Sequence, residues 1–442
     1  MLKIQVKSKG AIFRCWVRGA LWCLTGLLWL TESRAQSETS VDFRYFYGKG
    51  QEACQGKQYA ECLEYFRKSN QLRPGHQVIM YQLARAFAHN DLKDSAVHYL
   101  TKALAIRADF ELADSAFIGW QQTPEFIKLR ALKENLLAPV HHSTIVSVLK
   151  QRELHLESLA FDPQTNRLFA GSVRARKILW SHPGDSIWHN FTEKDHGLGS
   201  VFGMKVDPKR RYLWVCTVNT PYMMDADSNT NETSAVYKYH LDSNQLLHRY
   251  PLNDTISHWF GDLTLTQQGD VYISDSRANA IYRITAEKDS LELFLSSQHF
   301  LSLQGLDFDT TDRYLFVSDY VRGPFKIDVN QGTIRKIHCS LPNISLKSID
   351  GLYYHQNSLI TTQNQVFPMR VTRYYLDEQG FKVVSVKYLE KANPLLNEPT
   401  LGVIHQGVFF YVANSQWGGY DQQHNPLPSE QLQDIHIMKV GL

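Results

Sequence analysis

Apolar and polar positions alternate over residues 304–319, QGLDFDTTDRYLFVSD. The period of two predicts a β-hairpin: one strand with Leu306 and Phe308, a polar turn over Asp309–Asp312, and a return strand with Leu315 and Val317. The same unit recurs. ESLAFD/RLFAGS begins at 157, FGMKVD/YLWVCT at 202, GDLTLT/DVYISD at 261, DGLYYH/SLITTQ at 350 and TLGVIH/FFYVAN at 400. The six copies start 43 to 59 residues apart. Repeats of about 40–50 residues with several strands each are the signature of propeller blades. A β-sandwich with a chance period would not bring paired strands back in register six times. The predicted fold class is an all-β six-bladed propeller over 144–442, behind an N-terminal all-α domain over 41–138.

In that first domain alternation gives way to helical spacing. A 34-residue period links Tyr47 with Tyr81, Gly50 with Ala84, Cys62 with Ala96, Phe66 with Leu100 and Ser69 with Ala103. Small residues at 50, 62, 84 and 96 let paired helices approach closely, and Phe66 and Leu100 fill the space between them. Pro74 ends the first unit. The pattern resembles the tetratricopeptide repeat over about two repeats, which implies a groove for a peptide or protein partner. Residues 111–137 read as a capping helix pair interrupted at Pro124. Two repeats are fewer than the three a free solenoid needs, so the unit is expected to pack on the propeller or on a partner. A structural cap and a docking module both fit. Ala138-Pro139 and His141-His142 mark the linker. Residues 144–150 alternate as a strand that belongs to no hairpin, and the last copy lacks a fourth strand after Ile435–Val440. Pairing these two ends in one blade would close the ring and remove an exposed edge.

Residues 1–35 read as an export signal. Lys3, Lys7, Lys9, Arg14 and Arg18 precede an apolar run over Ala20–Leu30, and Ser33-Arg34-Ala35 supplies the cleavage site. The run is shorter than the ~20 residues of a membrane helix. The expectation is an exported protein, periplasmic or extracellular, with no transmembrane span once the signal is removed. The formal net charge of +3 gives no nucleic-acid footprint. Cys54, Cys62, Cys216 and Cys339 show neither a CxxC pair nor Cys/His metal spacing, and are expected to be small buried residues rather than a disulfide framework.

In a propeller, the start of each innermost strand and the end of the next meet at one rim. Glu157, Asp262 and Asp350 would then point into one opening, with Gln304 between the last two. Carboxylates in such proximity raise one another's pKa, and taking them out of water costs several kcal/mol each. A hard cation relieves both effects, and Ca²⁺ takes roughly 6–8 oxygen ligands. The absence of cysteine in this set disfavours zinc. Asp275 and Asp319, at the ends of second strands, are expected to bond backbone amides instead. Phe202, Trp259, Phe260, Tyr320 and Trp417 lie near the rim, where they fit either an apolar or ring-shaped ligand or ordinary blade packing. The polar loop 221–234 lies on the same face as an insertion.

ESLAFD, QGLDFDTTDRYLFVSD and DGLYYHQNSLITTQN resemble the blade starts of the senescence marker protein/gluconolactonase family, with paraoxonases and strictosidine synthases as more distant relatives. The resemblance covers roughly residues 150–442. It implies a calcium ion held by Glu157, Gln304 and Asp350, with Asp350 also accepting the proton of an attacking water, and it matches Asp262 to the acidic member of the family's third-blade pair. Asp262 and, by their rim positions, Phe202, Tyr320 and Trp417 are the candidate substrate-binding residues. Three departures stand out: Gln304 and Gly261 replace asparagines of the family pattern, and Phe202 occupies the position where paraoxonases carry a catalytic histidine. The implied function is metal-dependent hydrolysis of a small lactone or ester. The alternative is a non-catalytic propeller that binds a ligand or a protein partner, with the helices as docking module. The chain contains no GxSxG, Walker loop or HExxH sequence.

Overall fold

The computed structural model describes residues 42–192, 197–226, 233–252 and 254–442. The predicted export signal and residues 227–232 of the polar loop lie outside these residues. The chain divides into two compact units, up to Tyr99 and from Leu100 onward, with the division inside the helix Lys93–Ile106.

The first unit is helical: Phe43–Gln55, Tyr59–Leu72, Gln77–His89 and the start of Lys93–Ile106. The small positions of the 34-residue period are buried: Cys62, Ala84 and Ala96 are fully enclosed. Gly50 is small because its neighbour is close; a Cβ there would stand 2.9 Å from the Phe66 ring. Ser69 Oγ donates to the Phe43 carbonyl at 3.0 Å, fixing the first helix on the second. The cysteine expectation is corrected here. Cys54 and Cys62 form a disulfide, with Cα atoms 5.2 Å apart. The tight turn over residues 56–58 brings the end of one helix beside the start of the next, which spacing along the chain did not reveal. Cys216 and Cys339 are free, and Cys216 is buried.

The second unit carries the helix Pro124–Leu137 and six sheets, antiparallel except for one two-residue strand that pairs parallel in the fifth. Blades one to four are each four consecutive strands, opening with Leu156–Asp162, Ser200–Asp207, Phe260–Leu265 and Leu303–Phe308. The predicted hairpin is present in register, Leu306 opposite Val317 and Phe308 opposite Leu315. Blade five opens with Ile349–Tyr354 and is extended at its outer edge by Val140–His141 and His338–Cys339. The expected linker is thus partly strand. Glu390 anchors it, accepting from the His142 and Ser143 amides at 3.1 and 2.7 Å and bonding His141 Nδ1 at 2.8 Å. Blade six takes Gly402–His405, Val408–Val412 and Ile435–Gly441, and its fourth strand is Thr144–Leu149 from the other end of the propeller chain. The ring closes as expected. Among the described residues, no helix is long and apolar enough to cross a membrane.

Candidate functional site

Each of the first five inner strands breaks its ladder near its start. The register shifts between Leu156 and Ser158, Val201 and Met204, Phe260 and Asp262, Leu303 and Leu306, and Ile349 and Leu352. A bulge of this kind turns a side chain out of the sheet and frees backbone groups. Glu157, Phe202, Gly261, Gln304 and Asp350 all sit in these bulges. The freed groups are taken up by the neighbouring blade. The Glu157 carbonyl accepts from Thr400 Oγ1 at 2.8 Å and the Leu401 amide at 3.1 Å, and the Phe202 carbonyl accepts from Ser158 Oγ. Bulges of adjacent blades nest so closely that two positions admit only glycine: a Cβ on Gly203 would meet Asp262 Cα at 2.5 Å, and one on Gly305 would meet the Leu352 amide nitrogen at 2.4 Å.

The result is a cavity of about 480 Å³ at one end of the channel. Glu157, Asp262, Asp350, Gln304, Phe202, Tyr320 and Trp417, all picked out from the sequence, line it. Its side chains are held from outside the inner strands. Glu157 Oε2 accepts from Ser415 Oγ at 2.6 Å and Trp417 Nε1 at 3.0 Å. Asp350 Oδ2 accepts from Asn364 Nδ2 at 2.8 Å, and the Asn364 carbonyl oxygen accepts from the Tyr320 hydroxyl. Gln304 Nε2 donates to Ser302 Oγ at 3.2 Å. Gly261 lies beside the longer Gln304: a Cβ at 261 would make ordinary contact with Gln304 Oε1, at 3.5 Å. Phe202 packs edge-on to Trp259, centroids 5.2 Å apart, and parallel to Trp417 at 6.2 Å.

Burial dominates the electrostatics. It raises Glu157 well above the usual carboxyl range, and the Asp350 charge adds to this. Burial and the Asp262 charge raise Asp350 in the same way. Asp262 is pushed up to about 7, burial outweighing the pull of Lys205. Its Oδ1 accepts from the Leu263 amide at 2.9 Å, while Oδ2 is buried with no hydrogen-bond partner among the described residues.

Asp275 and Asp319 take the structural role expected of them. Asp275 Oδ1 accepts from the Trp259, Arg277 and Ala278 amides. Asp319 accepts from the amides of Leu301, Ser302, Val321 and Arg322. Sequence reasoning missed Asn364, Ser415 and Glu398. Asn364 follows the second strand of blade five directly, and that adjacency is the one signal that could have found it.

Among the described residues no three His, Cys, Asp or Glu side chains are grouped so as to hold a metal ion. A cation here would need the Gln304 amide and water beside Glu157 and Asp350. The donor chemistry fits a hard cation: two carboxylates, a neutral amide oxygen, and a buried Asp262 oxygen that lacks a donor.

No known family profile matches the chain, and no curated protein matches it in sequence. Solved structures do. The allergen Mala s 1 of Malassezia sympodialis superposes with a TM-score of 0.51 at 12% identity, over 68% of this chain and 96% of that one. The PQQ-bound aldose sugar dehydrogenase of Streptomyces coelicolor gives a TM-score of 0.44 at 12% identity, over 69% and 99%. A glucose dehydrogenase gives 0.46 at 14% identity, over 68% and 100%. At these identities the likeness is one of fold.

Proposed function

We propose that the acidic cavity hydrolyses a small lactone or ester, with Asp350 as general base. The observation that carries this reading is the aim of one carboxyl group. Asp350 is buried at a bulge, Asn364 fixes its Oδ2, and Tyr320 fixes Asn364. That chain leaves Oδ1 for a water in a cavity large enough for a substrate of several heavy atoms. A general base needs this positioning before its pKa matters. Asp350 takes a proton from the water, the water oxygen bonds to the acyl carbon, and the acyl–oxygen bond breaks. The proton passes to the leaving alkoxide, giving an acid and an alcohol. Phe202, Trp259 and Trp417 offer apolar ring faces to the substrate body, and Asp262 and Tyr320 offer polar contacts. Glu157, Gln304 and Asp350 would hold Ca²⁺, which polarises a carbonyl and acidifies water when bound. The resemblance to the gluconolactonase family supports the same roles.

Two further readings belong with this one. The Cys54–Cys62 disulfide supports export, since disulfides persist in oxidising compartments. The buried 34-residue pattern supports a tetratricopeptide-like docking module for a protein partner. A non-catalytic ligand-binding propeller is favoured by one observation, the inert Phe202 packed between two tryptophans. Turnover separates the two. Against a panel of aliphatic lactones and aryl esters with Ca²⁺ present, Asp350→Asn should lower kcat by about 10²-fold or more while leaving the melting transition cooperative. Hydrolysis at the wild-type rate in that variant removes Asp350 from the mechanism, and no turnover of any substrate by the wild type leaves the binding reading.

A further inference from the structure

The inner strands open on a second cavity at their other ends. The strand that starts beside Glu157 ends just past Phe161, and the strand carrying Phe202 ends past Lys205. The strand of Gln304 ends past Asp307, and that of Asp350 at Tyr354. With Val403–His405 of blade six, these ends enclose about 390 Å³. Being at opposite ends of the same strands, the two cavities are the two mouths of one channel, and their chemistry differs.

Lys205 is the cation of the second mouth. It is half-buried, and its Nζ lies over the Tyr353 ring, 4.9 Å from the centroid. Among the described residues it makes no hydrogen bond or ion pair. Two carboxylates lie near without bonding it: Asp262 feels the Lys205 charge through space, and Asp307 is already engaged, its Oδ1 accepting from Thr264 Oγ1 at 2.9 Å and its Oδ2 from the Tyr354 amide at 3.0 Å. A half-buried ammonium whose donors meet no acceptor among the described residues calls for one. Part of the wall is apolar. The His405 ring lies 4.4 Å from that of Phe161, and Val403 and Ile404 continue the surface.

We propose that this mouth is a binding site for a small monocarboxylate with an apolar body. The carboxylate sits on the Lys205 ammonium, with a His405 ring N–H as second donor. The body lies against Phe161, Tyr354 and Ile404. Lysine offers a single point charge, and Asp307 on the rim opposes a second negative charge. That opposition favours a monocarboxylate over a phosphate or a dicarboxylate. The site does not depend on the hydrolase reading of the first cavity.

The probe is 4-fluorophenylacetate, titrated into the purified protein and followed by ¹⁹F NMR. Saturable binding is expected, weakened about tenfold or more in Lys205→Met, as loss of a charge-assisted contact requires. Lys205→Arg should still bind. Ile404→Glu, which puts a negative charge on the wall, should abolish binding, and melting curves establish that each variant is folded. Neutral 4-fluorobenzyl alcohol and inorganic phosphate should neither bind comparably nor compete. Asp350→Asn should bind like the wild type. The proposal is overturned if no saturable binding occurs, if Lys205→Met binds equally, if the alcohol or phosphate binds as well as the acid, or if Asp350→Asn changes the affinity, which would place the probe in the first cavity.

Discussion

Asp162 ends the inner strand of blade one with its side chain almost fully enclosed, and Arg211 of blade two donates to it from both terminal guanidinium nitrogens at 2.8 Å. Burial works to raise this carboxyl. The Arg211 guanidinium, the Thr165 hydroxyl and the Gln164 amide outweigh it and hold the group below its ordinary value. The sign of the linkage follows. A carboxyl more acidic in the folded state contributes its full stability above the unfolded pKa of about 4, and loses it as pH falls through the lower folded value. Removing Arg211 leaves a buried charge unpaired, a change that costs about 3–5 kcal/mol when the pair is fully buried and less here, because Arg211 is partly exposed and also bonds Asp242. Arg211→Met should therefore lower the melting temperature at pH 7 and flatten its decline as the pH falls below about 4. Equal acid sensitivity in wild type and variant would show that this pair does not carry the effect.

The working element of this propeller is the bulge, and it explains what could and could not be read from the chain. The alternation of Leu306, Phe308, Leu315 and Val317 is a local property of two strands, so the blades, their number and the ring closure were legible. So was the gathering of Glu157, Asp262, Gln304 and Asp350 at one rim, because each opens an inner strand. The bulges left only an indirect trace, glycine directly after the turned-out residue at 203, 305 and 351. The groups that fix the carboxyls were hidden: Ser415 and Trp417 reach Glu157 from more than 250 residues away, a distance that no local pattern spans. The disulfide was hidden for the opposite reason, since it depends on one tight turn between helices. If nested bulges hold the blades together, Gly305 and Gly261 should respond differently to the same substitution. Gly305→Ala drives a methyl into the backbone of Asp350 and Leu352, at 2.6 and 2.4 Å, and should cost at least about 2 kcal/mol, seen as a fall of several degrees in the melting temperature. Gly261→Ala meets only ordinary contact at 3.5 Å and should stay within about 1 kcal/mol of wild type. Equal melting temperatures for the two variants would show that the blades slide apart at no cost.

At the scale of the whole propeller, the ring is closed by pairing Thr144–Leu149 with Ile435–Gly441, so no blade can leave without opening the sheet that joins first to last. The same geometry makes an ion in the first cavity a matter of the entire ring. Glu157 belongs to blade one, Gln304 to blade four and Asp350 to blade five, and their positions relative to one another exist only when all six sheets are assembled. Calcium held by these three would bind the folded ring and not the unfolded chain. At 100 times its dissociation constant it should add about 2.7 kcal/mol to the folded state. Its charge would also offset the burial that raises Glu157 and Asp350, so the gain should grow with pH as both ligands ionise. Melting curves in EDTA and in millimolar Ca²⁺ read this directly. An upward shift that disappears in Glu157→Gln identifies the channel as the site, since that variant keeps the size of the side chain and removes one charge. A shift that survives in Glu157→Gln puts the ion elsewhere, and no shift at all means that the carboxyls are kept in the ring by Ser415, Trp417 and Asn364 alone.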